Sequence, residues 1–356
     1  MNTEALKKLI ANMEKLCLKQ LIITAPMSIK YLTGRFIYPG ERLVALKVDT
    51  DGTCRLIANR LFAQKPLEGA ELIEYDDTDD TGKLLASVCK PGIVGVDKDM
   101  HARFLLPLMD ARADISARLG SIAIDKTRMV KTEKELEKMR KSSKANDAAL
   151  SGAIGRIVKG VSENGLADIY RQEGLNQHAQ GESFDSLICF GANAAEPHHQ
   201  TGDDKLCDDQ AVILDVGLNV DGYCSDMTRT VFFGKPDDEF KKVYDTVKRA
   251  NEAGRAAVKP GVPLKAVDAA ARRVIEDAGY GKYFIHRTGH SIGIEVHEYP
   301  DVSAMSGEVC ERGMTFSVEP GIYLPGKFGV RIEDLVAVSE DGCDTLNSLD
   351  RSLKTV

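Results

Sequence analysis

No window of the sequence approaches the roughly 18 uninterrupted apolar residues of a membrane-spanning helix. The opening residues Met1–Lys8 lack the apolar core of a signal peptide. Eight cysteines are scattered at positions 17, 54, 89, 189, 207, 224, 310 and 343, and no two have CxxC spacing. They read as reduced core thiols rather than a disulfide frame or a structural zinc site, and the cytoplasm is the expected compartment. There is no basic run, and the formal net charge is −7, so neither nucleic acid nor a membrane is an expected partner. No solenoid repeat, low-complexity tract or phosphate-binding loop occurs. What remains is globular: 356 residues, 43% hydrophobic and 28% charged, enough for two domains with separate cores.

The first part of the chain reads as mixed α/β. Leu6, Leu9, Ile10, Met13 and Leu16 have helical spacing, Leu21–Thr24 reads as a buried strand, and Leu43–Val48 with Thr53–Ala58 as a hairpin. Helices are predicted at Thr81–Cys89 and His101–Asp110, around a strand Ile93–Val96. This domain spans 1–124, and the polar stretch 125–131 reads as a linker. From 132 to 356 a second domain reads as α+β. Thr132 and Glu135 form a capping box that starts a helix reaching about Val158. Further helices are predicted at Asn164–Gln180, Asp237–Val258 and Leu264–Ala278. The strands Ser186–Phe190, Ala211–Val216, Arg229–Phe233, Thr315–Val318 and Gly329–Val338 accompany them, in hairpins rather than alternating crossovers.

The chemistry concentrates in this second domain. Asp215 interrupts the apolar run Ala211–Val216, and Asp226 precedes Val231–Phe233, with the turn dipeptide Asp221-Gly222 between them. A two-residue loop sets Asp215 opposite Thr228 and Asp226 opposite Gly217. Both carboxylates and Thr228 then share one face. Two like charges so close in apolar surroundings call for a cation. A second hairpin, folded about Gly326, places Glu319 opposite Glu333, with Arg331 on the face of Glu333. Three of the chain's seven histidines lie in 286–298, and His198-His199 follow the strand Ser186–Phe190 on a loop. Two Asp, two Glu and one His neutralise two divalent cations. An oxygen-rich set with one nitrogen suits Mn²⁺, Co²⁺, Fe²⁺ or Zn²⁺ and disfavours copper. A pair of such ions activates water and polarises a carbonyl.

Four segments carry a family resemblance in order across Arg128–Glu340: DVG…GYCSDMTRT, HRTGHSIGIEVHE, EPGIY and VRIEDLV. They resemble the M24-type metallopeptidase family, which includes Xaa-Pro dipeptidase (prolidase), aminopeptidase P and methionine aminopeptidase and has a pita-bread catalytic fold. The segment APMSIKYLTGRF, 25–36, resembles the early part of the creatinase-type N-terminal domain of prolidases and aminopeptidases P, which methionine aminopeptidases lack. The resemblance implies five ligands, Asp215, Asp226, His290, Glu319 and Glu333, for two divalent ions, with Mn²⁺ the leading expectation. It implies substrate-contacting roles for His198 and His297, support of Asp215 by Arg331, and an active-site place for Tyr323. Glu319 is the expected proton shuttle. The implied function is Xaa-Pro dipeptidase, with aminopeptidase P as the alternative; the implied assembly is a homodimer. A metal-free creatinase-type amidinohydrolase and a non-catalytic binding homologue are the other readings, disfavoured by the complete ligand set. His199 reads as a bystander, His286 has no assigned role, and Glu295 and Glu298 are expected in solvent or salt bridges.

Overall fold

The structure, a computed structural model, describes all of residues 1–356 except His198. It divides into two compact units, Met1–Arg128 and Met129–Val356.

The first unit is built on a six-stranded mixed sheet. Its strands, in spatial order, are Glu71–Tyr75, Cys54–Asn59, Val44–Asp49, Gln20–Ile23, Gly92–Val96 and Ile115–Leu119. The expected hairpin is present with Val48 opposite Cys54 and a turn that ends at Gly52, φ 90°. The opening helix, Thr3–Lys15, is capped by the Asn2 side chain and buries Leu9 and Met13, as their spacing requires. Leu9, Leu21 and Leu46 belong to one apolar cluster, and Ile22, Ala45 and Ile57 to another, so alternate residues of the central strands feed separate cores.

The stretch 125–131, read as a linker, is mostly helical: Ser121–Met129 is an α-helix. Its polar composition conceals a buried stripe of Ala123, Ile124 and Thr127, which is what a helix needs to dock.

In the second unit the capping box is formed as predicted: Thr132 and Glu135 bond reciprocally and start the helix Glu133–Ile154. That helix ends a turn earlier than the pattern suggested. Glu163–Asn176, Asp238–Ala257 and Leu264–Asp277 are the other long helices. Leu187–Phe190, Gln210–Val216 and Met227–Phe233 form a three-stranded sheet. A five-stranded sheet orders Glu298–Val302, Gly289–Ser291, Thr315–Val318, Asp334–Val338 and Cys343–Thr345. The predicted single strand Gly329–Val338 is in fact two, Phe328–Arg331 and Asp334–Val338, which pair in different sheets. The break falls at Ile332-Glu333, opposite Glu319-Pro320. Proline has no N–H for a ladder, and the chain there turns from one sheet into the next. All eight cysteines are free. Among the described residues no helix is long and apolar enough to cross a membrane.

Candidate metal centre

Both hairpins keep the registers that turn chemistry dictates. In the first, Asp221 (φ 52°) and Gly222 (φ 79°) take the two left-handed positions of a type I′ turn. Asn219 then pairs with Cys224, and the same count continues past the break to Thr228 opposite Asp215. At the break a Cβ on Gly217 would stand 2.2 Å from the Ser225 carbonyl oxygen, so only glycine allows the strands to approach so closely. In the second hairpin Leu324 pairs with Phe328 around Gly326 (φ 71°), and Gly321 with Arg331. The count again continues across its break, to Val318 opposite Asp334. Each hairpin thus changes sheet where its carboxylates stand: Asp226 in one, Glu319 and Glu333 in the other.

Strand bonding joins the two breaks. The Glu333 N–H donates to the Thr228 carbonyl (3.1 Å), and the Thr228 hydroxyl donates to Glu333 Oε2 (2.7 Å). Thr228 Oγ1 also accepts from Arg331 Nε (3.1 Å), and Arg331 Nη2 reaches Asp215 Oδ2 at 2.5 Å. The expected contact of Asp215 with Arg331 is present as a partly buried ion pair. His290 lies on the Gly289–Ser291 strand, its N–H held by Ser317 Oγ at 3.0 Å. Its Nδ1 lies 3.2 Å from the Ser291 carbonyl, which assigns the proton there and leaves Nε2 as a lone-pair donor. Nε2 faces Asp226 Oδ2 at 3.5 Å and Glu319 Oε1 at 3.6 Å. Ligand atoms of Asp226, His290 and Glu333 lie within 4.8 Å of one another.

The electrostatics of this cluster are unbalanced. Burial, then Asp215 and Glu319, push the Asp226 carboxyl well above the usual range. Burial, then Asp226 and Glu319, do the same to Glu333. Burial raises Asp215 too, against the opposing pull of Arg331. Asp215 Oδ1, Asp226 Oδ1 and Glu333 Oε1 are buried without a hydrogen-bond partner among the described residues. Buried acceptors without donors are costly, by about 1–3 kcal/mol each or more when charged. Arg331 is the cation that the structure sets against this cluster, and it is engaged by Asp215, Thr228 and Tyr323. The donor set therefore fits divalent cations in both charge and softness.

A polar chain extends from Arg331. Its Nη1 donates to the Tyr323 hydroxyl (2.9 Å), which lies 2.9 Å from His286 Nε2, while His286 Nδ1 lies 2.7 Å from the Arg287 carbonyl. With the proton on Nδ1, Nε2 accepts the tyrosine O–H. Burial keeps His286 neutral by lowering its pKa and raises Tyr323 to about 12. Sequence reasoning missed His286; the signal was its membership of the three-histidine run.

His297 stands at the exposed rim, its ring 4.2 Å from that of His290 and edge-on to it. Desolvation, then the His290 ring, lower its pKa to about 4, so it is neutral at physiological pH. His198 lies outside the described residues. Its neighbour His199 has a structural contact: Nε2 sits 2.7 Å from Glu163 Oε2. Glu163 is fully buried and also accepts from Phe190 N, Asn193 Nδ2 and Gly202 N, so it pegs that loop from several sides. Glu298 makes the predicted salt bridge, to Lys131 at 3.2 Å, and accepts from the Ile294 and Glu295 N–H groups. It fixes the bend that precedes His297.

Residues 137–340 match metallopeptidase family M24, and residues 6–141 match the creatinase/prolidase N-terminal domain. An uncharacterized peptidase of Staphylococcus saprophyticus is 37% identical over 339 residues, 92% of this chain and 95% of that protein. The crystal structure of a recombinant prolidase from Thermococcus sibiricus is similar with a TM-score of 0.92 and 36% identity, over 99% of this chain and 98% of that one. A dipeptidase from Mycobacterium ulcerans gives 0.93 and 34%, over 99% and 97%. The chain belongs to metallopeptidase family M24, with a creatinase-type N-terminal domain ahead of a pita-bread catalytic domain.

Proposed function

We propose that the protein is a metal-dependent exopeptidase that hydrolyses Xaa-Pro dipeptides. The observation that carries this reading is the set of carboxylate oxygens without a hydrogen-bond partner among the described residues, at the meeting point of the two broken hairpins and beside an imidazole nitrogen. The prolidase from Thermococcus sibiricus supports the choice of substrate. Asp215, Asp226, His290, Glu319 and Glu333 would hold two divalent ions, Mn²⁺ first among them. Such ions supply water ionised near pH 7, about nine units below its bulk value, and Lewis acidity toward a carbonyl.

The side chains do the rest. Glu319 is the proton carrier. Its side chain is 16% exposed, as is that of Asp215, against 5% for Asp226 and 4% for His290, and Asp215 is already paired with Arg331. It takes a proton from the attacking water and delivers it to the proline nitrogen, which must gain one to leave as a secondary amine. His297, neutral, offers an N–H to the oxyanion that develops at the scissile carbonyl, and His198 shares that task. Arg331 fixes Asp215 and Tyr323 while its own charge stays buried. In this reading the working form is a homodimer in a reducing compartment, the cytoplasm, consistent with eight free cysteines.

The length of the peptide tests the assignment. With Mn²⁺, Co²⁺ and Zn²⁺ in turn, Ala-Pro is expected to be hydrolysed faster than Ala-Pro-Gly-Gly. The opposite order assigns the protein to the aminopeptidases that act on longer chains.

A pH prediction follows from the raised carboxylates. In cation-free protein they bind protons more tightly folded than unfolded. Their contribution to stability is complete below the unfolded carboxylate pKa, about 4, and is lost as pH rises through the higher folded values. The rise in melting temperature produced by Mn²⁺ should therefore grow with pH across that interval. Scanning calorimetry with chelator and with Mn²⁺ at several pH values checks this; a shift that shrinks with rising pH contradicts it.

A further inference from the structure

Arg229 follows Thr228 on its strand and is 2% exposed. A guanidinium has five N–H donors, and here all five are matched. Nη1 donates to the carbonyls of Thr228 (2.9 Å) and Glu333 (2.6 Å). Nη2 donates to Asp334 Oδ1 (2.8 Å) and the Leu349 carbonyl (2.7 Å), and Nε to the Asp350 carbonyl (3.2 Å). The peptide unit on each side of Glu333 is thereby gripped: its N–H by the Thr228 carbonyl, its C=O by Arg229.

The C-terminal segment completes the support. Arg351 donates to both oxygens of Asp334, from Nε at 2.6 Å and Nη2 at 2.9 Å. Leu335 N–H is held by Asn347 Oδ1 (2.7 Å), and Leu346 N–H by the Leu335 carbonyl (2.8 Å). Burial opposes the charge of Asp334, but Arg229 and Arg351 outweigh it and hold the carboxyl below its usual range. The residue after Glu333 is thus anchored to the last turns of the chain.

We propose that Arg229 is a positioning residue of the metal centre, and that the C-terminal segment Asn347–Arg351 holds it in place, so that together they set where Glu333 presents its carboxylate. The inference rests on the reading of Glu333 as a metal ligand. Arg229 bonds the backbone carbonyls of Thr228 and Glu333 and acts through them. A lysine has three donors in place of five and no planar fork, so it cannot reproduce the grip.

Arg351→Gln and Arg229→Lys test this, with Arg351→Lys as the conservative control. Arg351 is 20% exposed at its side chain, so its replacement is compatible with folding. The readouts are Mn²⁺ affinity and stoichiometry by titration calorimetry of chelator-treated protein, the visible spectrum of the Co²⁺ form, cation-free melting temperature, and kcat and KM on Ala-Pro. In Arg351→Gln the Kd of the weaker Mn²⁺ is expected to rise at least tenfold, with an altered Co²⁺ spectrum and kcat lowered more than KM is raised. Arg351→Lys should recover part of each. A lowered melting temperature with unchanged Mn²⁺ affinity and Co²⁺ spectrum overturns the proposal, since the segment is then only structural. Wild-type protein that binds no Mn²⁺ or Co²⁺ overturns the metal-centre reading beneath it. If Arg229→Lys does not fold, Arg351→Gln alone decides between these outcomes.

Discussion

Glu319→Gln is expected to lower turnover of Ala-Pro by about 10²–10⁴-fold, the range that a positioned proton carrier contributes. The substitution keeps shape and removes the charge and the ability to accept a proton. The protein should stay folded, because the Glu319 side chain is partly open and the hydrogen bond it accepts from the Ser317 hydroxyl at 3.2 Å survives in a glutamine. Asp226→Asn is expected to abolish turnover by a different route. Asp226 is buried against His290 and lies in the cluster with Glu333, so its charge is needed to hold a cation. In the absence of metal the same change removes a repelled buried charge. The cation-free melting temperature of Asp226→Asn should therefore be no lower than that of wild type. Circular dichroism with steady-state assays on Gly-Pro and Ala-Pro measures both effects. Near-wild-type turnover by either folded variant would sink the proposed roles.

Metal removal is expected to have the second large effect. Prolonged chelation should eliminate hydrolysis, and added Mn²⁺ or Co²⁺ should restore it. It should also lower stability, because a ligand that binds only the folded state contributes about 2.7 kcal/mol per site at a hundred times its Kd. For a unit of this size that corresponds to a rise on the order of 5–10 °C in melting temperature when one site fills. Elemental analysis must accompany the assay. Full activity in protein verified to be free of metal would refute a metal-dependent mechanism and revive the creatinase-type reading.

The candidate site was legible before the fold was, for a local reason. Asp221-Gly222 and Gly326 dictate turn types, turn types fix register, and register puts Asp215 opposite Thr228 and Glu319 opposite Glu333 by counting alone. The capping box at Thr132 is equally local. Polar composition misled at 125–131, where helical spacing of a few buried residues outweighs charge. The continuous pattern of 329–338 concealed a change of sheet, because β-propensity does not record which neighbour a strand pairs with.

The roles of His286, His199 and Glu163 were not legible, since each depends on a partner distant in sequence. Nothing near His286 signals that its Nε2 meets Tyr323, 37 residues on, nor does Glu163 signal that it gathers His199, Asn193 and Gly202. Arg229 is the clearest case. Its five donors are fully engaged, by segments up to 121 positions away, and nothing in its local sequence specifies those partners.

The sequence by itself determined most of the elements and both hairpin registers, which follow from turn residues and periodicity, and its four ordered motifs carried the family resemblance that implied the five candidate ligands. Only the tertiary structure decided that both hairpins break between sheets at their carboxylates and that those breaks face one another. The same holds for the grip of Arg229 on Glu333 and of the segment 347–351 on Arg229 and Asp334. Those facts rest on long-range burial and hydrogen bonding, where the only donors available to buried groups are supplied by other parts of the chain.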